Sequence, residues 1–189
     1  MGCPPKYIAS SDDGPLRQGE IVSNVVQVRL TSESVGSDSP VAIPVVHPFA
    51  MVLTQDCDLE QHLNRIGNGK PGNLPNLLFC EAIPAATLKG SAEGSDWKRV
   101  RQNKAERYQC LEQIPAELDA LAEGVHALGV DFKRYFTIPT DEIFERIRRG
   151  EAKRRTCLAP PYNVQIAMRF FQYQMRIALP DEHVIPSSG

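Results

Sequence analysis

The densest group of reactive side chains in this chain is Thr54-Gln55-Asp56-Cys57-Asp58, at the end of the apolar run Phe49-Ala50-Met51-Val52-Leu53. A hydroxyl, an amide, two carboxylates and a thiol follow one another there, and His47 stands just upstream. Several chemistries fit these types. His47, Thr54 and Cys57 are the candidate catalytic residues: an imidazole exchanges protons near neutral pH, and a hydroxyl or thiol serves as nucleophile once a base approaches it. For Cys57 that base has to be His47, because flanking carboxylates work against thiolate formation. A metal reading draws on His47, Asp56, Cys57, Asp58 and His62; Asp-x-Asp suits Mg²⁺ or Mn²⁺, and Cys with His suits zinc, but the spacing matches no established site. A purely structural reading has Asp56 or Asp58 accept backbone N–H groups and start a helix through Leu59, His62, Leu63 and Ile66, with Cys57 a small buried hydrophobe. Under that reading Gln55, Asp56 and Asp58 still present a polar binding surface. No cofactor motif is visible, and no cofactor is expected.

Two basic clusters offer a different kind of site. Lys98, Arg99, Arg101, Lys104 and Arg107 lie close together, flanked by Trp97 and Tyr108, a composition that suits phosphates and stacked bases. Arg146, Arg148, Arg149, Lys153, Arg154 and Arg155 form the second, interleaved with Glu145 and Glu151. Either is equally a solvated charged face. Lys98, Arg99 and Arg101 are the candidate ligand-binding residues of the first cluster.

Stepping outward, the elements that must hold these residues are mostly strands. Gly19 precedes the β-branched run Glu20–Leu30, which predicts a strand, and a Ser- and Gly-rich loop follows it. Val41–Val46 predicts a second strand, broken at His47-Pro48 at a strand end or sheet edge, because proline removes a ladder donor. Phe49–Leu53 is apolar at every position and so should be a central strand covered on both faces. Gln61–Asn76 reads as a long loop, Leu77–Ile83 as a buried strand, Tyr108–Ile114 as a short strand and Val125–Ile138 as one or two strands. Pro115–Ala122 carries a helix-like pattern. Pro139-Thr140-Asp141-Glu142 predicts a helix start, and that helix ends at Gly150. A final amphipathic helix is expected to pack through Val164, Ala167, Met168, Phe171, Met175 and Ala178, with Gln165, Arg169, Gln172 and Arg176 opposite and Pro180 as its end. Arg169 and Arg176 are candidates to pair with acids such as Asp131.

With 189 residues, 42% hydrophobic and 23% charged, the chain suits one domain with a sizeable core. A net charge of −2 and a pI near 6.1 argue against a general nucleic-acid binder. No apolar run reaches the roughly 20 residues of a membrane helix. Met1–Lys6 lacks the hydrophobic core of a secretory signal, so a cytoplasmic protein is expected. Its 5 cysteines are scattered, which fits free thiols in a reducing compartment.

Leu16-Arg17-Gln18-Gly19-Glu20-Ile21-Val22 followed by His47-Pro48-Phe49-Ala50-Met51-Val52-Leu53-Thr54 resembles the opening of the PemK/MazF-type toxins, over about residues 16–88. Thr54-Gln55-Asp56-Cys57-Asp58-Leu59, with Val130-Asp131-Phe132 and Pro161-Tyr162, resembles uncharacterised bacterial proteins associated with the same barrel. The resemblance implies an SH3-like β-barrel and an endoribonuclease that cuts single-stranded RNA without metal. His47 stands where the toxins place an arginine, and no threonine stands in Cys80–Ala82, where their catalytic one would fall. The expected architecture is therefore α+β: an irregular arm (1–15), an elaborated SH3-like barrel (16–138), a helical C-terminal region packed on it (139–180) and a tail (181–189). The expected function is a non-catalytic binding or regulatory module of a bacterial stress-response or phage-defence system, with a protein partner and a homodimer compatible with it. The alternatives are the toxin-type ribonuclease and a Cys57- or metal-dependent enzyme.

Overall fold

The computed structural model describes residues 5–11, 14–91 and 97–175. Strands β1 (Tyr7–Ala9), β2 (Glu20–Leu30), β3 (Ala42–Val52), β4 (Asn76–Pro84), β5 (Tyr108–Leu111), β6 (Leu128–Pro139) and β7 (Lys153–Leu158) form one sheet in the order β1-β7-β2-β3-β4-β6-β5. Every neighbouring pair is antiparallel. Among the described residues five α-helices accompany them: α1 (Asp56–Gly67), α2 (Ala85–Ser91), α3 (Trp97–Arg101), α4 (Thr140–Arg148) and α5 (Tyr162–Gln174). No helix among the described residues is long and apolar enough to cross a membrane.

The α+β class expected from the sequence is what folds, but main-chain pairing does not close the sheet into a barrel. Its two end strands are joined by side chains instead. The Tyr7 hydroxyl of β1 donates to the Glu112 carbonyl just past β5 at 2.9 Å, and the Lys6 ammonium meets the Glu112 carboxylate. A buried phenol and an ion pair hold the ends together without a ladder.

Alternation along β2, β3 and β4 gives the sheet two apolar faces. Ile21, Met51, Cys80 and Phe132 pack with Ile166, Phe170 and Tyr173 of α5 on one; Val22, Ala50, Phe79 and Phe136 pack with Leu59 of α1 and Ile143 of α4 on the other. This double cover explains why Phe49–Leu53 is apolar throughout.

Several elements differ from the sequence reading. Residues 7–9 of the expected arm are strand β1, paired with β7. Helix α1 takes residues 61–67 from the expected long loop. Pro115–Ala122 makes only a 3-10 turn at Ala116–Leu118. β7 was hidden inside the second basic cluster. The strand expected to break at His47-Pro48 runs through it, since β4 pairs with β3 only from Phe49 to Val52 and leaves Pro48 where that second neighbour ends. Opposite Pro48, Asn24 adopts the left-handed conformation at φ +57°. The alternation changes parity there, so Val22 and Val25, and likewise Ala50 and His47, face the same side.

Helix α5 is also rotated from expectation. Asn163, Ile166, Ala167, Phe170 and Tyr173 are its buried residues, whereas Val164, Met168, Phe171 and Met175 are exposed. Arg176, Ala178 and Pro180 lie outside the described residues, as does the tail (181–189).

Candidate functional site

The Thr54–Asp58 motif joins β3 to α1. The ladder between β3 and β4 is carried one residue further by a side chain: Leu53 N–H donates to the Leu78 carbonyl at 2.8 Å, and Leu78 N–H donates to Thr54 Oγ1 at 2.7 Å. Thr54 is buried. Gln55 is the N-cap residue, and its carbonyl accepts from Asp58 and Leu59 at 3.2 Å, with no side-chain cap. Asp56 and Asp58 sit in the first turn, where negative charge opposes the helix dipole. The expected aspartate cap is thus replaced by a bond between residues distant in sequence, from Gln18 N–H to Asp56 Oδ1 at 2.6 Å, which ties the chain before β2 to the start of α1.

Cys57 is exposed rather than buried, with its thiol 3.5 Å from Gln55 Oε1. It lines a shallow hollow of about 350 Å³ with Glu60, Gln61, Asn64, Arg65 and Lys70, in which no histidine takes part. His62 is buried, stacks on Phe144 and accepts from Leu74 N–H at 3.1 Å. The fold therefore does not bring His47, Cys57 and His62 together. Among the described residues no three His, Cys, Asp or Glu side chains gather as a metal-ligand set.

His47 belongs to a different site, on the face of β2 and β3 that also carries Val25 and Ala50. Its ring stacks on Phe136 at 4.0 Å; Nδ1 lies 3.2 Å from Glu81 Oε1 and Nε2 lies 3.4 Å from Gln27 Oε1. Only 4% of the residue is exposed. Glu81 also pairs with Arg134 at 2.6 Å. The bond from His47, together with the nearby Arg134, holds the Glu81 carboxyl below the usual carboxylate range. Arg29, Val45, Lys133 and Tyr135 complete a hollow of about 300 Å³ around this group.

The chain matches no protein-family model, no curated protein and no solved structure.

The two basic clusters part company. In the first, Lys98, Arg99 and Arg101 are exposed on the short α3, while Arg107 forks onto Asp131 at 2.8 and 2.5 Å. Asp131 thus meets Arg107 and not Arg169. Arg169 instead donates to the carbonyls of Asn103, Ala105 and Tyr108 at 2.6–3.0 Å, and burial lowers its pKa. In the second cluster Arg146, Arg148 and Arg149 pair with Glu142, Glu145 and Glu151 on the surface. Arg154 and Arg155 are buried: Arg154 grips Glu20 at 2.5 and 3.0 Å, and Arg155 grips Asp119 at 2.7 and 2.6 Å. A bulge in β7 opposite Ile21 and Val22 leaves Arg155 the unpaired extra residue, so consecutive arginines reach different partners.

Sequence reasoning missed Glu81, Arg134, Gln27 and Arg29 as company for His47. One signal was available: Glu81 is the single charged residue in the apolar run Leu77–Ile83. A lone acid in a central strand implies a buried cationic or hydrogen-bonding partner.

Proposed function

We propose that this chain is a non-catalytic binding or regulatory module, built on an SH3-like curl related to the PemK/MazF-type toxins and serving a bacterial stress-response or phage-defence system. One observation carries this reading: most of the groups that would do chemistry are bonded into the scaffold, and the exposed Cys57 lines a hollow that holds no histidine. Thr54 completes the β3–β4 ladder, Asp56 anchors the segment before β2, and both ring nitrogens of His47 have neighbours at hydrogen-bond distance. Lys98, Arg99, Arg101 and Asp58 stay exposed and offer charged groups to a partner. Charged groups of this kind steer a complementary partner towards its docking position. In this reading the partner is captured without turnover.

A specific arrangement favours the second reading, a metal-independent ribonuclease of the toxin type. His47 shares Glu81 with Arg134, and Arg29 and Lys133 border the same hollow beside a half-exposed Tyr135. A histidine for proton transfer, guanidinium groups for phosphate charge and an aromatic ring for base stacking are the parts such a reaction uses on single-stranded RNA.

Incubation of the wild type and His47→Ala with single-stranded RNA in EDTA separates the two. The binding module leaves the RNA intact in both samples. Cleavage by the wild type that the variant lacks would overturn it in favour of the ribonuclease.

A further inference from the structure

We propose that the cavity between β1, β5 and α5 binds a small organic monocarboxylate, with Arg169 as its anchor. Residues of these three elements enclose about 260 Å³ where the sheet fails to close. Tyr7, Leu111, Leu158 and Ile166, all buried, give the cavity an apolar wall, and Gln165 and Arg169 bring polar groups to it from α5. An apolar wall with a few convergent polar groups is how small-molecule sites are built. The volume falls just under the roughly 300–1,000 Å³ of sites for drug-sized ligands, so the occupant is a compact molecule.

Arg169 sets the charge of that occupant. A guanidinium carries five N–H donors. Three bonds are made here, all to neutral carbonyls, those of Asn103, Ala105 and Tyr108. Its Nε–H and one Nη1–H have no partner among the described residues, and no carboxylate among them pairs with it. Arg107, Arg154 and Arg155, by contrast, each fork onto an acid. A half-buried cation without a counter-ion is matched by an anion of single charge, whereas a phosphate monoester would leave negative charge in excess. The one acid on the cavity wall, Glu112, is met by the Lys6 ammonium and so does not repel such a ligand.

The main chain excludes an extended peptide as the occupant. Strand addition needs open groups along the edge of β5. The Asn103 amide already accepts from Cys110 N–H at 2.6 Å and donates to the Cys110 carbonyl at 3.0 Å, and Arg169 takes the Tyr108 carbonyl. A small ligand here touches both end strands and α5, so its binding fastens the seam that backbone pairing leaves open. The site does not depend on whether the chain holds a protein partner or cleaves RNA.

Titration of the full, isotope-labelled chain with benzoate, followed through its amide resonances, tests this, with benzamide as the uncharged isostere. Benzoate is expected to saturate with a Kd of about 1 mM or tighter and to shift Cys110, Leu111, Gln165 and Arg169, while benzamide binds at least tenfold more weakly. Arg169→Gln should weaken benzoate at least tenfold. Because Arg169 also clamps three carbonyls, Gln165→Trp serves as a second variant. Gln165 is exposed, and an indole at that position blocks the cavity without disturbing the core. Thermal unfolding checks that each variant folds, and Gln165→Trp alone decides if Arg169→Gln does not. Arg148→Gln, on the surface of α4, should leave binding unchanged. The absence of saturable shifts overturns the proposal, as do shifts centred elsewhere, benzamide binding as tightly as benzoate, or binding that survives the substitutions at Arg169 and Gln165.

Discussion

Asp119 is buried and accepts two bonds from the Arg155 guanidinium as well as backbone N–H groups of Leu121 and Glu123. Burial by itself would raise its pKa, but the hydrogen bonds from Arg155 carry it below the ordinary value. A fork of this kind fixes position more than it adds stability, yet removing Asp119 leaves the buried Arg155 guanidinium with only the exposed Glu123 at 3.1 Å and the Gly124 carbonyl at 3.4 Å. Asp119→Ala is expected to cost about 3–5 kcal/mol in urea unfolding, while replacing both Asp119 and Arg155 by leucine recovers most of that loss. The exposed trio of Glu145, Arg148 and Arg149 makes equally short contacts, but water screens them, and Glu145→Ala should leave stability essentially unchanged. Arg154 and Arg155 read from the sequence as part of a basic surface. Their partners, Glu20 and Asp119, are far away along the chain, which is why no local pattern announced them.

At the scale of elements, α5 shows how far amphipathicity can be read. Two apolar stripes run along this helix, and the hydrophobic pattern alone does not say which one meets the sheet. The structure buries the stripe of Ile166, Phe170 and Tyr173, which sets Phe170 edge-on to Phe132 at 5.9 Å. Phe170→Ala should therefore cost about 3–5 kcal/mol, while Met168→Ala stays within about 0.5 kcal/mol, both measured by chemical denaturation. Glu20–Leu30, Leu77–Ile83 and the helix after Pro139 were legible because their signals are local: β-branched runs, and acids in a first turn. β7 was illegible because Lys153-Arg154-Arg155 hides a strand behind its charges. The helix after the Thr54 motif was legible in its start and not in its length, since the Asn and Gly residues that end it also read as loop.

Across the whole molecule, three carboxyls among the described residues have depressed pKa values: Glu81 through His47, Asp119 through Arg155 and, on the solvent-screened surface, Glu145 through Arg148 and Arg149. A carboxyl held low in the fold binds fewer protons than in the unfolded chain, so its contribution is complete above the unfolded range near pH 4 and is lost as pH falls through the lower folded values. Unfolding midpoints should accordingly stay level from neutrality to about pH 5 and drop below about pH 4, with a smaller drop in the absence of Asp119. Flat stability through pH 3 would show that neither the Glu81 nor the Asp119 pair contributes.

Local patterns in the chain specify the α+β class, the positions of β2, β4 and β6, the start of α1 and the place where reactive side chains concentrate. Each of these follows from periodicity and residue type within a few residues of itself. Long-range packing sets the rest: the sheet stays open between β1 and β5, His47 answers to Glu81 rather than Cys57, and two arginines of a basic run are core residues. All three depend on which distant strands become neighbours, and the left-handed Asn24 beside Pro48, which turns His47 to the other face, takes effect only once β2 and β3 have paired.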